Sequence, residues 1–465
     1  MRAESERGSA PNRVLVADES VAAWHGVVPG ALAAKAREVA CEVARRTADS
    51  ATVIDHVMRF TEQTKHPMEW YFPSFGYGHA GIALLHVHAS AAAPNAVESA
   101  RSLSAGFAFI REAVAGTQAQ PLLAPGVFSG TGGLALCVAG CAEAEPRFAP
   151  SLGRLHDQFA AQIADLDLPM VERAVSDSDY DMISGAAGTL AYLCSIAEPD
   201  QALHPAADKL LDYLIWLSAP PRDLTLTRRW LIAPELCAPL GRDPREFPGG
   251  YLNLGMAHGI PGAVAALAVA WQRGLRRPGQ EEAIRRMTDW LLAVRRADPH
   301  GPVWATEIPV AATGEEVRPN QPHDQIAWCY GTAGVAVSLL AVADALGDDQ
   351  LRTAAIEAFE GVLRRSVAEP VLSPTFCHGV AGLLAICLEF ATAGSDLARE
   401  HTPRLLTELL GHADPANPLV FRDEEEPGVF VDSPALLTGS TGVALTLLAA
   451  VSPVRPSWLT AFLVR

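Results

Sequence analysis

Two cysteines and a histidine stand where this chain could do chemistry. Cys329 lies in W-C-Y-G and Cys377-His378 in C-H-G, each directly before a Gly-x-x-Gly element. Two thiolates and one imidazole suit Zn²⁺, and three protein ligands leave a fourth position for substrate. Read singly, they are also what buried core cysteines and a capping histidine look like. Their shared place in a repeated element favours the metal. His258 takes the same place in A-H-G-I-P-G, and Asp181 lies four residues before Gly185 in Y-D-M-I-S-G. A histidine there suits acid/base work near neutral pH, with Asp181 to orient it. Either side chain would also serve as a helix cap. Trp328 and Tyr330 flank Cys329, and either wall a site or simply pack. His79 and His323 are weaker loop candidates.

The elements that must position these residues are the repeats. Gly-x-x-Gly begins at Gly78, Gly130, Gly185, Gly259, Gly331, Gly379 and Gly439, and each opens a nearly charge-free apolar run such as AVAALAVAW or LLAICLEFA. Between them run amphipathic stretches with apolar residues three and four apart. In 281–296 the apolar face is Ile284, Met287, Leu291 and Val294; in 350–365 it is Leu351, Ala355, Phe359 and Val362. Residues 154–164 and 207–217 repeat the pattern. One helix type is apolar all round and must be buried; the other keeps a wet face. About seven inner/outer pairs would close into an all-α, double-layered α/α toroid, although an open solenoid has the same local pattern. In a toroid the loops before the inner helices converge, so Cys329 and Cys377 would meet.

Composition narrows the function. A net charge of -17 argues against nucleic acid as a partner. The eight cysteines are sparse and mostly inside apolar runs, unlike a disulfide framework. The start, MRAESERGSAPNR, has no apolar signal segment, and the apolar runs are too short to span a bilayer. The expected location is cytoplasmic. Residues 1–30 read as a disordered or frayed start, and 31–465 as one domain, with a helix over 31–49 and an irregular insert around 219–258.

Taken in order, N-L-G-M-A-H-G-I-P-G, A-W-C-Y-G and F-C-H-G-V-A-G resemble the lanthionine synthetase C family, the cyclases of lanthipeptide biosynthesis, over roughly residues 70–465. The resemblance implies an α/α toroid with zinc held by Cys329, Cys377 and His378. It also implies an active-site histidine at His258, an aspartate at Asp181, and aromatic neighbours at Trp328 and Tyr330. The implied reaction adds peptide cysteine thiols to dehydroalanine or dehydrobutyrine, forming lanthionine or methyllanthionine rings. The partner is then a dehydrated precursor peptide, with dehydration left to a separate dehydratase, and a transient membrane-associated biosynthetic complex is compatible. Many cyclases of this family carry Arg four residues before the first zinc cysteine, where this chain has Gln325. Either the site lacks that charge, or a neighbouring basic residue supplies it. Two other readings stand beside the cyclase: a non-catalytic zinc-stabilised scaffold, and an enzyme adding an external thiol such as glutathione.

Overall fold

The computed structural model describes Trp24, Val28 and residues 30–464, apart from residues 65–68, 169, 172–174, 197–200, 223–225, 238–241 and 319–324. Helices α1 (Gly30–Arg46) and α2 (Ser50–Gln63) precede the repeats. Inner helix α3 (His79–Ala92) then pairs with outer α4 (Ala96–Gly116), and α5 (Thr131–Ala144) with α6 (Ala149–Asp165). After the single turn α7 (Asp177–Tyr180), α8 (Ala186–Ser195) pairs with α9 (His204–Ser218). The short α10 (Pro234–Cys237) leads to α11 (Ile260–Gln272) with α12 (Gln280–Val294). Then come α13 (Thr332–Leu346) with α14 (Asp349–Ala368), and α15 (Val380–Thr392) with α16 (Asp396–Gly411). The seventh inner helix, α17 (Ser440–Ala450), takes its outer partner from the other end of the chain, α1, and packs on α3. That contact closes the inner ring. The fold is an α/α toroid, and of the two architectures compatible with the pattern the closed one forms.

Ile284, Met287, Leu291, Val294, Leu351, Ala355, Phe359 and Val362 are all buried, as their spacing requires. Of residues 1–29 only Trp24 and Val28 are described, so the expectation for that stretch lies largely outside the described residues. Trp24 is buried, and its indole N–H donates to the Ala449 carbonyl at 3.1 Å. Among the described residues six short strands make three antiparallel pairs: β1 (Tyr251–Asn253) with β4 (Glu307–Pro309), β2 (Arg296–Asp298) with β3 (Gly301–Val303), and β5 (Asp423–Glu426) with β6 (Val429–Val431). The stretch 219–258 holds α10 and β1, but the partner of β1 comes from beyond it. Among the described residues no helix is long and apolar enough to cross a membrane.

The seven loops before the inner helices are joined backbone to backbone. Gly76 N–H donates to Phe128 at 2.9 Å, Leu436 N–H to Gly76 at 3.0 Å, and Cys377 N–H to Leu437 at 2.9 Å. Cys329 N–H then donates to Cys377 at 3.1 Å, Ala257 N–H to Cys329 at 3.1 Å, and Met182 N–H to Ala257 at 3.0 Å. Four of the loops also cap their own helices: the His79, Thr131, Val380 and Ser440 N–H groups donate to Phe72, Ala124, Ser373 and Ser433 at 2.9–3.0 Å. This satisfies donors that a helix start would otherwise leave open. The second glycine of each element permits that wrap, because a Cβ there would collide with the carbonyl six residues earlier in all seven repeats. Inside the ring the 3₁₀ helix Ser457–Phe462 plugs the axis. The Phe462 ring lies 4.2 Å from Phe376 and 5.2 Å from both Phe128 and Trp328, centroid to centroid.

A Cβ at Gly334 would sit 2.6 Å from the Trp328 carbonyl oxygen and 2.7 Å from Met256 Cβ. Gly334→Ala should therefore destabilise the protein by about 1–3 kcal/mol in urea denaturation. Gly153, exposed within α6 with nothing near its Cβ position, should gain about 0.4–1 kcal/mol as Ala. Equal effects at the two positions would refute the packing role given to the second glycine.

Candidate active site

The loop ring sorts side chains by depth. In every repeat the third residue before the first glycine is buried, while the residue directly before that glycine is partly or fully exposed. Trp328 and Phe376 hold the deep position; His258, Tyr330 and His378 hold the open one in three successive repeats. Trp328 is completely buried, and its indole N–H donates to the Phe462 carbonyl at 3.1 Å. Of the two roles open to it, the structure gives it packing: it floors the site and does not line it.

Asp181 and His258 meet across 77 residues of sequence, with Asp181 Oδ2 2.6 Å from His258 Nδ1. The other oxygen, Oδ1, accepts from the Ser184 and Gly185 N–H groups at 2.7 and 2.8 Å. One carboxylate thus pins the turn before α8 with one oxygen and orients His258 with the other. Asp181 is buried, whereas the His258 side chain is 35% exposed, so Nε2 is the open edge of the ring. Burial works to lower the His258 pKa. The Asp181 hydrogen bond and charge, with Asp177 and Cys377, outweigh it and raise the value above the ordinary 6.5. Asp177 was not singled out from sequence. It is buried beside this pair, and burial together with the Asp181 charge raises its own pKa.

Cys329 and Cys377 are neighbours on the ring, and their thiols are in hydrogen-bond contact. That contact and burial push the Cys377 thiol up. His378 Nε2 lies 3.0 Å from Asp423 Oδ1, which leaves Nδ1 for the Cys377 thiol. Asp423 is held in turn by the Ser373 hydroxyl at 2.7 Å. Among the described residues no three His, Cys, Asp or Glu side chains stand together at metal-holding spacing. The donors nevertheless fit zinc by their chemistry: two thiols in contact, and an imidazole backed by a buried carboxylate, as metal-ligating histidines usually are. Nothing in the local sequence marks Asp423, which reaches His378 because the β5–β6 hairpin folds over the ring.

Tyr330 packs on Gly255, where a Cβ would meet its ring at 2.5 Å, and its ring centroid is 6.3 Å from that of His258. Burial raises the phenol to about 12. Gln325 is partly exposed, and its carbonyl accepts from Ala327 N–H at 2.9 Å. His79 lies apart from the site. It is buried at the start of α3, accepts the Trp70 indole N–H at 3.0 Å, and donates to Ser50 Oγ at 2.9 Å. His323 lies outside the described residues. All eight cysteines are free thiols.

Comparison with known proteins finds relatives by sequence and by structure. The profile of a family described as Lanthionine synthetase C-like protein matches residues 69–463. The nisin biosynthesis protein NisC of Lactococcus lactis subsp. lactis is 25% identical over 277 residues, 58% of this chain. The match spans 63% of that relative's length. Among solved structures, one titled nisin cyclase superposes with a TM-score of 0.70 at 20% identity, covering 89% of this chain and 97% of its own.

The Asp181–His258 pair has a titration signature. Asp181→Asn keeps an oxygen for the Ser184 and Gly185 N–H groups but loses the charge, so the His258 midpoint followed by NMR should fall. The raised value means that the pair stabilises the fold fully below pH 6.5 and loses that contribution as pH rises through the raised midpoint. The variant should therefore come closest to the parent in stability at alkaline pH. An unchanged midpoint would remove Asp181 as the cause.

Proposed function

The chain belongs to the lanthionine synthetase C-like family, and from that premise we propose that it is a zinc-dependent lanthipeptide cyclase acting on a dehydrated precursor peptide. The observation that carries the reading is the juxtaposition on one ring of the Cys329–Cys377–His378 donors and the Asp181–His258 pair. On this reading dehydration of the peptide falls to a separate enzyme.

The residues that would hold zinc are Cys329, Cys377 and His378, and the chemistry zinc would supply there is acidification of a substrate thiol. The remaining steps belong to the protein. Asp181 holds the proton at His258 Nδ1 and fixes the imidazole with Nε2 open to substrate. Addition forms a carbon–sulfur bond at the alkene β-carbon and moves the π-electron pair onto the α-carbon and its carbonyl, as an enolate. His258 Nε2–H then delivers a proton to the α-carbon, and the proton lost by the thiol restores the imidazolium. Atoms balance: the ring is an isomer of the open peptide. The raised pKa of His258 keeps it a competent acid above the ordinary histidine range.

Incubation with a dehydrated peptide, with and without glutathione, tests the reading. Ring closure leaves the mass unchanged and removes alkylatable thiols. A glutathione adduct would favour the external-thiol enzyme, and unchanged thiols the scaffold. The purified protein should hold about one zinc, and Cys377→Ala should lose it while keeping its helical circular-dichroism signal. Full zinc in that variant would overturn the ligand assignment. His258→Asn should keep zinc and helicity yet slow cyclisation by about 10²–10⁴-fold, and an unchanged rate would remove His258 from the mechanism.

A further inference from the structure

Asp423 meets His378 from an element that carries none of the motifs, the β5–β6 hairpin between α16 and α17. Its Oδ1 lies 3.0 Å from His378 Nε2 and accepts the Ser373 hydroxyl at 2.7 Å. Ser373 and His378 belong to one loop, so the carboxylate clips that loop at two points. The Ser373 hydroxyl is fixed in turn: it takes the Thr375 N–H at 3.1 Å and lies 2.8 Å from the Thr375 hydroxyl. The hairpin is held at its root. Asp423 is in register with the fully buried Val431, and the flanking residues, Arg422 and Asp432, form an ion pair at 3.2 Å.

A carboxylate accepts and does not donate, so the hydrogen between Asp423 and His378 sits on Nε2. That holds for the neutral and the charged imidazole alike. In either state Nδ1 is the nitrogen able to offer a lone pair to a metal. A metal at Nε2 would first have to displace Asp423. That carboxylate is only 3% exposed, and expelling it from both partners would strand a charge in the interior. His258 holds the same place in its repeat, directly before the first glycine, yet its nitrogens are used the other way round. There Asp181 takes Nδ1 at 2.6 Å and leaves Nε2 open. Two carboxylates from different elements thus assign opposite nitrogens to two equivalent histidines.

We propose that Asp423 is a positioning residue that holds the proton on His378 Nε2, commits Nδ1 to the metal, and so makes the β5–β6 hairpin part of the zinc site. Ser373 acts one step further back, by fixing the angle of the carboxylate. The choice of ring nitrogen is made by the fold before any metal arrives, and that spares the site the cost of sorting tautomers on binding. This inference rests on the zinc-dependent cyclase reading.

Two measurements on the full chain test it: zinc affinity by chelator competition, and proton–nitrogen correlation spectra of zinc-loaded protein labelled at the histidine nitrogens. The His378 signals, identified by their absence in His378→Ala, should show the proton on Nε2 and the metal on Nδ1. Asp423→Asn keeps an acceptor without the charge and should weaken zinc about tenfold. Asp423→Ala loses both and should weaken it about a hundredfold, with the His378 proton no longer confined to Nε2. Ser373→Ala should weaken zinc less than Asp423→Ala does. Metal on Nε2, or parent affinity in Asp423→Ala, would overturn the role. Helical signal and thermal transition are compared in the metal-free forms. If Asp423→Ala fails to fold, Asp423→Asn carries the affinity comparison, and parent affinity there would overturn the role equally. A parent protein that binds no zinc, or that keeps it in Cys377→Ala, would instead sink the zinc reading, and this inference with it.

Discussion

The backbone hydrogen bonds between the seven pre-helix loops are the constraint on which the rest of the structure depends. Six of the seven loops donate to a neighbour from nearly the same position in the repeat, so six links tie the seven segments into one row, and the packing of the inner helices closes the circle. The links are satisfied in a place where unpaired backbone groups would be expensive. They leave no freedom for one loop to slide past the next without breaking a bond on each side. Cys329 and Cys377 face each other because they are consecutive members of this ring. Their thiol contact is a consequence of backbone pairing, not of any attraction between them.

The ring also orders the environment by depth. Its inner edge is closed by Phe462 and Trp458 of the C-terminal 3₁₀ helix, which pack against Phe376 and Trp328. Its outer edge is polar. All seven inner helices start at the ring, so their positive dipole ends point to one place, where negative charge is favoured. Against that background the carboxylates Asp177, Asp181 and Asp423 are set behind the histidines, each buried and hydrogen-bonded. The small strands matter for the same reason. They are too short to contribute much core, but β1 brings Asn253 to the Tyr330 hydroxyl and β5 brings Asp423 to His378.

The repeat, its helical periods and the residues at its open positions were legible because each is a local pattern. His258, Tyr330 and His378 directly precede a glycine, and the glycine spacing marks their equivalence. The ambiguity over Asp181 was real in the sequence; in the fold its carboxylate pins the turn before α8 and holds His258. Trp328 shows where local reading stops. It adjoins Cys329, yet it points into the axis, and adjacency alone carries no direction.

The sequence by itself determined the helical repeat, its two helix types and the set of donors, since glycine spacing and apolar period act within a few turns of chain. Only the tertiary structure decided that the ring closes, because closure needs α1 to cover α17 and α17 to meet α3 across nearly the whole length. It alone also brought Asp423 to His378 and Asn253 to Tyr330. These lie in loops and short strands with no period of their own, and which side chain they support depends on where the closed ring places it.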